Sequence, residues 1–158
     1  MRAELRPSQV APGALLEVEG STYRVVGTVR FDLAGTRWGE HCITSSGPRE
    51  WLSLQPRGAE CVIHWLTRHD LFGDPDRAGM SLDGRDWSLL AAGSLTYTAE
   101  GDTGLGLQGT CEFVEFVAVD TDDAVLVYES FDGGMWEISV GRLADPARVR
   151  SYREVSGD

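Results

Sequence analysis

Aromatic and acidic side chains are the residues of this sequence best suited to binding chemistry. Trp38 is followed closely by Glu40, and Trp136 is followed by Glu137, with Asp132 in the turn before them. An indole face and a carboxylate both attract cations, and the attraction becomes specific only where several such groups converge. We therefore predict that these five residues form a binding site, and a cationic small molecule is the ligand class that matches them.

The tryptophans divide into two classes by sequence context. Trp38 stands among polar neighbours after a turn at Gly35, which is typical of contact residues at a sheet end. The others lie where apolar and polar residues alternate, and in such strands one aromatic side chain normally fills the core. We expect this core role for Trp51, Trp65, Trp87 and Trp136.

The histidines and cysteines do not have the spacing of a metal site. Zinc takes nitrogen and sulfur ligands that converge on one point, whereas neighbouring residues of a strand alternate between its two faces. His41 and Cys42 therefore point apart, as do Cys61 and His64, and His69 does not complete either pair. We predict no metal site.

A glycine pattern at residues 104–109 matches the phosphate-binding loop of dinucleotide-binding proteins. That loop functions only where a strand leads into a helix whose N-terminus faces the pyrophosphate. The residues that follow here, 111–119, have the pattern of a strand. We therefore expect a mobile, exposed loop over residues 98–109, and no nicotinamide or other cofactor.

Catalytic signatures are weak in this sequence. Ser45, Ser46 and Ser53 lie outside any Gly-x-Ser-x-Gly turn. The aspartates at residues 120–123 lack the glycine and the distal glutamate of a calcium loop, so a solvated turn is the better interpretation. We assign no catalytic residue, and the sequence favours a noncatalytic protein.

Charge and composition exclude several partner classes. The formal net charge of −11 opposes the phosphate backbone of nucleic acids. No apolar run reaches the ~20 residues of a membrane span, and the first residues lack the apolar core of a signal peptide. Three cysteines in strand-like contexts indicate reduced, buried thiols. We expect a cytoplasmic protein with no nucleic-acid partner and no integral membrane segment.

One short pattern occurs twice and predicts the architecture. Residues 16–26 and 80–90 both have the order apolar, polar, apolar, acid, glycine, followed by an aromatic and two apolar residues. This order is typical of strand, tight turn and strand, and we expect Gly20 and Gly84 at equivalent turns with positive φ. The predicted fold is all-β, with two pseudo-repeated, twisted β-meanders packed as small barrels or as one sandwich.

Composition shifts mark the boundaries of the predicted segments. Asp145 and Pro146 have the pattern of a helix start, so the tail is given a short helix. The segments are a flexible lead-in at 1–12, the first meander at 13–67, a linker at 68–79, the second meander at 80–143 and the tail at 144–158.

Short motifs in both halves resemble the bacterial domain of unknown function family 4178. The first half has a glycine before an aromatic at Gly20 and Tyr23, and a glycine within the next strand at Gly27. It also has the short sequence Trp-Leu-Ser at residues 51–53. The second half repeats the glycine and aromatic at Gly84 and Trp87. The resemblance implies an accessory role near polyamine-related and membrane-stress genes. Many relatives begin with a zinc ribbon, which this chain lacks, so zinc is not carried over.

Two hypotheses of different classes remain open. The first is a noncatalytic accessory module of a bacterial cytoplasmic system, which contacts a protein partner through a strand edge or an aromatic patch. The second is a sensor or enzyme for a cationic, polyamine-like small molecule, with a cleft between the two halves. Converging Asp, Glu and Trp side chains in a cavity would favour the second, and a core filled by side chains would favour the first.

Overall fold

The computed structural model describes residues 1–43, 47–57 and 59–156. Ser45 and Ser46, considered above as hydroxyl nucleophiles, lie outside the described residues. The described chain is all-β, which confirms the predicted class, and within it no helix has the length and hydrophobicity needed to cross a bilayer.

Thirteen strands and two 3-10 turns make up the described chain. The strands are β1 (Arg2–Glu4), β2 (Leu15–Val18), β3 (Ser21–Arg24), β4 (Gly27–Leu33), β5 (Thr36–Cys42), β6 (Glu50–Arg57), β7 (Ala59–Thr67), β8 (Met80–Leu82), β9 (Arg85–Gly101), β10 (Gln108–Ala118), β11 (Ala124–Phe131), β12 (Glu137–Ala144) and β13 (Val149–Glu154). The 3-10 turns are Pro7–Gln9 and Pro146–Arg148.

Eight of the strands close into an antiparallel barrel. Strands β4 to β7 form one meander and strands β9 to β12 form another. The two meanders join along two seams, where β12 pairs with β7 and β9 pairs with β4. Each predicted half therefore supplies four consecutive strands of one barrel.

Side chains alternate between the inside and the outside of the barrel wall. On β11, Val125 and Val127 pack inward against Ile63 and Trp65, whereas Leu126 packs outward. This period of two is the pattern by which the strands were predicted. Because Glu129 follows Val127 at the same spacing, its side chain also faces the interior.

A separate four-stranded sheet covers one outer face of the barrel. Its strand order is β1, β13, β2, β3. Leu16 and Val18 of β2 pack with Leu52 and Val62 of the barrel wall in one buried apolar cluster. The sheet joins the first and last strands of the described chain, since Arg2 of β1 lies opposite residue 154 of β13.

The linker between the two meanders covers a second outer face. Trp87, Phe116 and Tyr128 are buried there, and Leu71 of the linker and Met80 of β8 pack against their cluster. Burial of such large side chains is a major favourable term in folding.

Both glycine turns have the predicted backbone. Gly20 (φ +90°) and Gly84 (φ +74°) each follow an acidic residue that also has positive φ, in the two-residue turns of the β2–β3 and β8–β9 hairpins. Positive φ at both central positions is the mark of a type I′ turn. The two hairpins lie in different sheets, and a repeat relationship between the halves stays a prediction.

Three segments differ from the sequence-based expectation. The lead-in at 1–12 contains β1 and a 3-10 turn, and its Val10 is fully buried under the flanking sheet. The tail has the expected short turn, in which Asp145 caps the N–H of Ala147, but it continues into β13. The loop expected at 98–109 covers only residues 102–107, because β9 and β10 extend into it from both sides.

Candidate functional site

A cavity of about 200 Å³ lies near one end of the barrel and is partly open to solvent. Side chains from both halves of the chain line it, and they include one guanidinium, that of Arg49, beside aliphatic and hydroxyl groups. The aromatic ones are Phe31, Trp51, Trp65 and Phe131, and the acidic ones are Glu40, Glu129 and Glu137. The cavity therefore brings ring faces and carboxylates together.

Two of the carboxylates lie on neighbouring strands at directly opposed positions. Glu129 of β11 is the register partner of Glu137 of β12. Like charges at such opposed positions destabilise a sheet. Neither carboxylate has a hydrogen bond or an ion pair within the described part of the chain. This arrangement costs stability, so the fold alone does not explain it.

Burial and neighbouring charges set the protonation of this pair. Burial raises the pKa of Glu129 well above its usual range, and the charges of Glu40, Glu137 and Glu115 raise it further. Burial also raises the pKa of Glu137, against the lowering effect of His69 and Arg49. Glu137 is the more exposed of the two and stands at the rim, where β12 begins. Both carboxyls therefore favour the protonated form more than an exposed glutamate does.

Trp65 forms one wall of the cavity, and a glycine makes room for it. Gly141 lies opposite Trp65 in register, and a Cβ at this glycine would stand 2.6 Å from Cε3 of the indole. Trp65 is only 3% exposed, and its indole N–H has no hydrogen-bond partner among the described residues. Buried polar groups in folded proteins are nearly always partnered, so the Trp65 N–H is an exception in the wall of the cavity.

The loop at residues 102–107 covers this end of the barrel. Leu105 packs into the aromatic cluster of the interior, and Thr103 is buried beside it. Arg49 fastens the loop, since its guanidinium donates to the carboxylate of Asp102 at 3.0 Å and to the main-chain oxygen of the same residue at 3.3 Å. Entry to the cavity therefore passes the Arg49–Asp102 ion pair.

The carboxylates are not arranged as a metal site. Within the described ranges, no group of three or more His, Cys, Asp or Glu side chains could hold a metal ion. His41 lies outside the barrel, where burial lowers its pKa to about 3 and its Nδ1 bonds the Thr28 hydroxyl at 2.9 Å. Separate carboxylates beside ring faces suit an organic cation better than a coordinated metal.

The structure brings together two of the five residues predicted to bind. Glu40 and Glu137 both line the cavity. Trp38 packs on Phe31 inside the barrel, with ring centroids 5.5 Å apart, away from the cavity lining. Asp132 accepts hydrogen bonds from the Tyr97 hydroxyl at 2.6 Å and from the Thr110 N–H at 2.9 Å.

Trp136 is the fifth predicted residue, and it lies on the outer face of the barrel. Its ring packs edge-on against Tyr128, with centroids 6.3 Å apart. It belongs to the apolar cluster under the linker, which agrees with the core role expected for it. Asp132 and Trp136 thus hold the turn between β11 and β12 in place, and neither residue lines the cavity.

A larger groove of about 1,210 Å³ runs between the flanking sheet and the barrel wall. Two of its arginines are already engaged within the protein. Arg30 donates to the main-chain oxygen of Val10 at 2.6 Å, and Arg37 pairs with Asp32 at 2.9 Å. The smaller interior cavity is the better candidate, because its opposed carboxylates have no such partners in the described chain.

Sequence analysis missed Glu129 and treated Trp51 and Trp65 only as core residues. A signal for Glu129 was present, since it continues the inward series Val125 and Val127 at a spacing of two. A carboxylate on an otherwise apolar strand face is an exception that indicates a site.

Comparison with models of known protein families identifies the family of this chain. A model of the family described as "Domain of unknown function (DUF4178)" matches residues 11–146. The chain belongs to the DUF4178 family. The match spans both meanders of the barrel and the flanking strands β2 and β3, so the matched region includes every residue that lines the cavity.

Curated relatives of this DUF4178 chain are found in mycobacteria. An uncharacterized protein of Mycobacterium bovis and one of Mycobacterium tuberculosis are each 30% identical to it over 151 residues. The match covers 92% of this chain and 73% of each relative. No solved structure matches the chain.

Proposed function

We propose that this protein is a noncatalytic binding module that takes up a small organic cation inside its barrel. The observation that carries the proposal is the opposed pair Glu129 and Glu137, which faces a cavity and lacks a partner in the described chain. A bound cation would neutralise the pair and remove its electrostatic cost. A bound cation would thus replace the proton by which the free protein relieves the pair.

The size and lining of the cavity narrow the ligand class. Its volume of about 200 Å³ lies below the roughly 300–1,000 Å³ of sites for drug-sized ligands. A primary or secondary ammonium group can lie between two carboxylates and against the faces of Trp51 and Trp65. A polyamine or a shorter amine has this chemistry, and the charge of the chain would attract it from solution.

The three cysteines bear on the compartment in which the module works. Cys42, Cys61 and Cys111 form no disulfide, and burial raises the pKa of Cys111 far above its usual range. Cysteines that stay reduced are typical of proteins in a reducing compartment. We therefore place the module in the bacterial cytoplasm, where the gene associations implied by its family would have it serve a polyamine-related or membrane-stress system.

Calorimetric titration with spermidine tests the proposal. Salt should be held near 0.15 M, because charges farther apart than about 8 Å are then screened and scattered surface acids contribute little. We expect saturable heat together with a change in tryptophan fluorescence, because Trp51 and Trp65 line the cavity. The absence of a saturable response to spermidine, and to a short alkylamine tested beside it, would remove the proposed function.

Variants locate the binding. Glu137→Gln removes the exposed member of the pair and should weaken binding by about tenfold or more, equivalent to ~1.4 kcal/mol. Glu112→Gln is the matched control, because this glutamate lies on β10 with its side chain half exposed and paired to Arg77 outside the barrel. Equal loss of affinity in both variants would show that only the overall charge attracts the ligand.

Docking of a protein partner is a second candidate function. It is favoured by β9, which is longer than its neighbours and carries exposed leucines at positions 89 and 90. Strand edges of this kind bind extended segments of other chains by main-chain pairing.

A further inference from the structure

Arg49 brings a positive charge to the same cavity that holds the acidic pair. Its side chain lines the cavity together with Glu129 and Glu137, and it is only 28% exposed. In the described part of the chain, its guanidinium forms no ion pair with either glutamate and pairs with Asp102 instead. A group that could neutralise the acidic pair is therefore already present in the cavity wall, but it is bound elsewhere.

Three acceptors hold the Arg49 guanidinium on the loop side of the cavity. Nη2 donates to the carboxylate of Asp102 at 3.0 Å, and Nη1 donates to the main-chain oxygen of Asp102 at 3.3 Å and to Sγ of Cys42 at 3.5 Å. The loop at residues 102–107 also lies against this group, since a Cβ at Gly104 would stand 3.4 Å from Nη2. The charged carboxylate is the strongest acceptor of the three, so Asp102 fixes where the guanidinium lies.

The main chain of Arg49 is fixed, but its side chain extends toward the acidic pair. The Arg49 oxygen accepts a hydrogen bond from the N–H of Thr67 at 2.9 Å, and Thr67 is the register partner of Ser139 on β12. Arg49 and Ser139 are thus two strand spacings apart, roughly 10 Å. Glu137 lies two residues before Ser139 and points into the same cavity as Arg49. A rotation of the long Arg49 side chain is therefore enough to move its guanidinium toward Glu137.

The guanidinium can serve either carboxylate, Asp102 or Glu137, but only one at a time. Glu137 already lies within the field of Arg49, whose charge lowers the pKa of that carboxyl against the effect of burial. The side chain of Asp102 is 49% exposed, and ion pairs with such exposed groups are weak. A guanidinium on Glu137 would occupy the oxygens that an ammonium ligand needs.

We propose that Asp102 keeps the Arg49 guanidinium off the acidic pair, and that loss of the Asp102 contact closes the site to a cation. The inference rests on the proposed function, because it concerns the regulation of the same site. Arg49 is then an internal competitor of the ligand. Asp102 does not itself line the cavity, and it acts by positioning Arg49.

The Asp102→Asn variant tests this regulation, because it removes the charge that holds Arg49 and keeps the size of the side chain. We expect the dissociation constant for spermidine, measured by calorimetry, to rise by about tenfold or more. Asp120→Asn is the matched control, since this aspartate also pairs with an arginine, Arg85, at 3.3 Å, and lies beyond the opposite end of β10. Such exposed pairs add little stability, so both variants should fold. Equal loss of affinity in both would overturn the proposal.

Removal of the guanidinium distinguishes competition from damage to the loop. In an Arg49→Gln background no internal cation can reach Glu137, so the further change Asp102→Asn should alter the affinity for spermidine by less than about twofold. A tenfold loss in this background as well would show that Asp102 acts through the loop itself, which would contradict the role given to Arg49.

A measurement without ligand separates this inference from the proposed function. The pKa of the Glu137 carboxyl, followed by carbon-13 NMR, should fall by about 1 or more in Asp102→Asn, because the guanidinium moves beside it, and should stay constant in Asp120→Asn. Other charged groups near Glu137 are present in both variants, namely Glu129, Glu40 and His69. An unchanged pKa of Glu137 in Asp102→Asn would overturn the inference even if spermidine binds. A parent chain that does not bind spermidine removes the proposed function, and a fall in this pKa would still show that Asp102 positions Arg49.

Discussion

Glu129 is the residue whose surroundings fit its chemistry least. It lies in the barrel wall beside valines, opposite another glutamate, and within the field of Glu40 and Glu115. An ionised carboxylate in such a place loses hydration without gaining a partner. The free protein lowers this cost by keeping the proton, and a bound cation lowers it by supplying the opposite charge.

Replacement of Glu129 by glutamine should stabilise the free protein at neutral and alkaline pH. Because the folded pKa of Glu129 is raised above the ordinary value of 4.5, the folded state binds the proton more tightly, and stability falls as pH rises through the window above 4.5. Glu129→Gln removes this loss of stability. Tm at pH 8 should therefore rise by about 2–4 °C, which corresponds to a gain of ~1 kcal/mol in the free energy of unfolding.

The size of that gain should depend on pH. As the pH falls toward the ordinary value of 4.5, the carboxyl of the parent chain gains its proton more readily in the folded state, and the difference in Tm between the two proteins should shrink. Glu112→Gln serves as the control, with no such pH-dependent gain, because its ion pair is exposed. A Glu129→Gln variant that is less stable than the parent at pH 8 would mean that the carboxylate has an essential structural partner.

Binding of a cation should release a proton. The pKa of Glu129 and that of Glu137 are both raised in the free protein, and a bound ammonium group would favour the charged form of each. Calorimetric titration with spermidine in two buffers of different ionisation enthalpy measures this release. Identical heats in both buffers at pH 6 would show that no proton leaves on binding.

At the scale of the elements, the contact between β7 and β12 shapes one wall of the cavity. Gly141 of β12 lies under the ring of Trp65, and a Cβ there would also stand 2.8 Å from Cγ2 of Ile63. The seam between the two meanders therefore needs glycine at this position for packing.

Substitution of Gly141 by alanine should destabilise the protein. Overpacking of a tight core costs about 1–3 kcal/mol, so Tm should fall by roughly 2–10 °C in a chain of this size, with altered tryptophan fluorescence. Gly106→Ala is the matched control, since the nearest atom to a Cβ there is the Gln108 oxygen at 4.0 Å. Equal melting of the two variants would mean that the indole moves aside without cost.

Most strands and turns could be predicted from the sequence, because the signals for them lie among neighbouring residues. Alternation of apolar and polar residues, and glycine after an acid at Gly20 and Gly84, are signals that lie within a few residues. Strand β13 and the extension of β9 to Gly101 were missed. Their residues are mostly exposed and polar, and only pairing with β2 and β4 makes them strands.

The cavity could be predicted only in part, because it depends on the whole molecule. Glu40 and Glu137 were selected for their chemistry, and the two seams place them in one space. No local pattern states that β12 pairs with β7 or that β9 pairs with β4, since such long-range pairing depends on how complete surfaces fit. For the same reason Trp38 and Trp136, close to them in sequence, face other parts of the molecule.

Removal of β13 should destabilise the molecule as a whole. A chain that ends at Ala144 leaves β1 and β2 without their shared neighbour and uncovers the apolar cluster around Leu16 and Val18. We expect Tm to fall by more than about 5 °C and binding of a hydrophobic dye to increase. A chain that lacks only residues 155–158 is the control, and equal stability of the two truncated chains would contradict the role of β13.

The flanking sheet also fixes an order of events during synthesis. Strands β2 and β3 can form their hairpin as soon as both have been made, but the other neighbour of β2 is β13, which begins only at Val149. Chains are made at about 5–20 residues per second, so several seconds separate the two events. The flanking sheet is therefore complete only once β13 has been made.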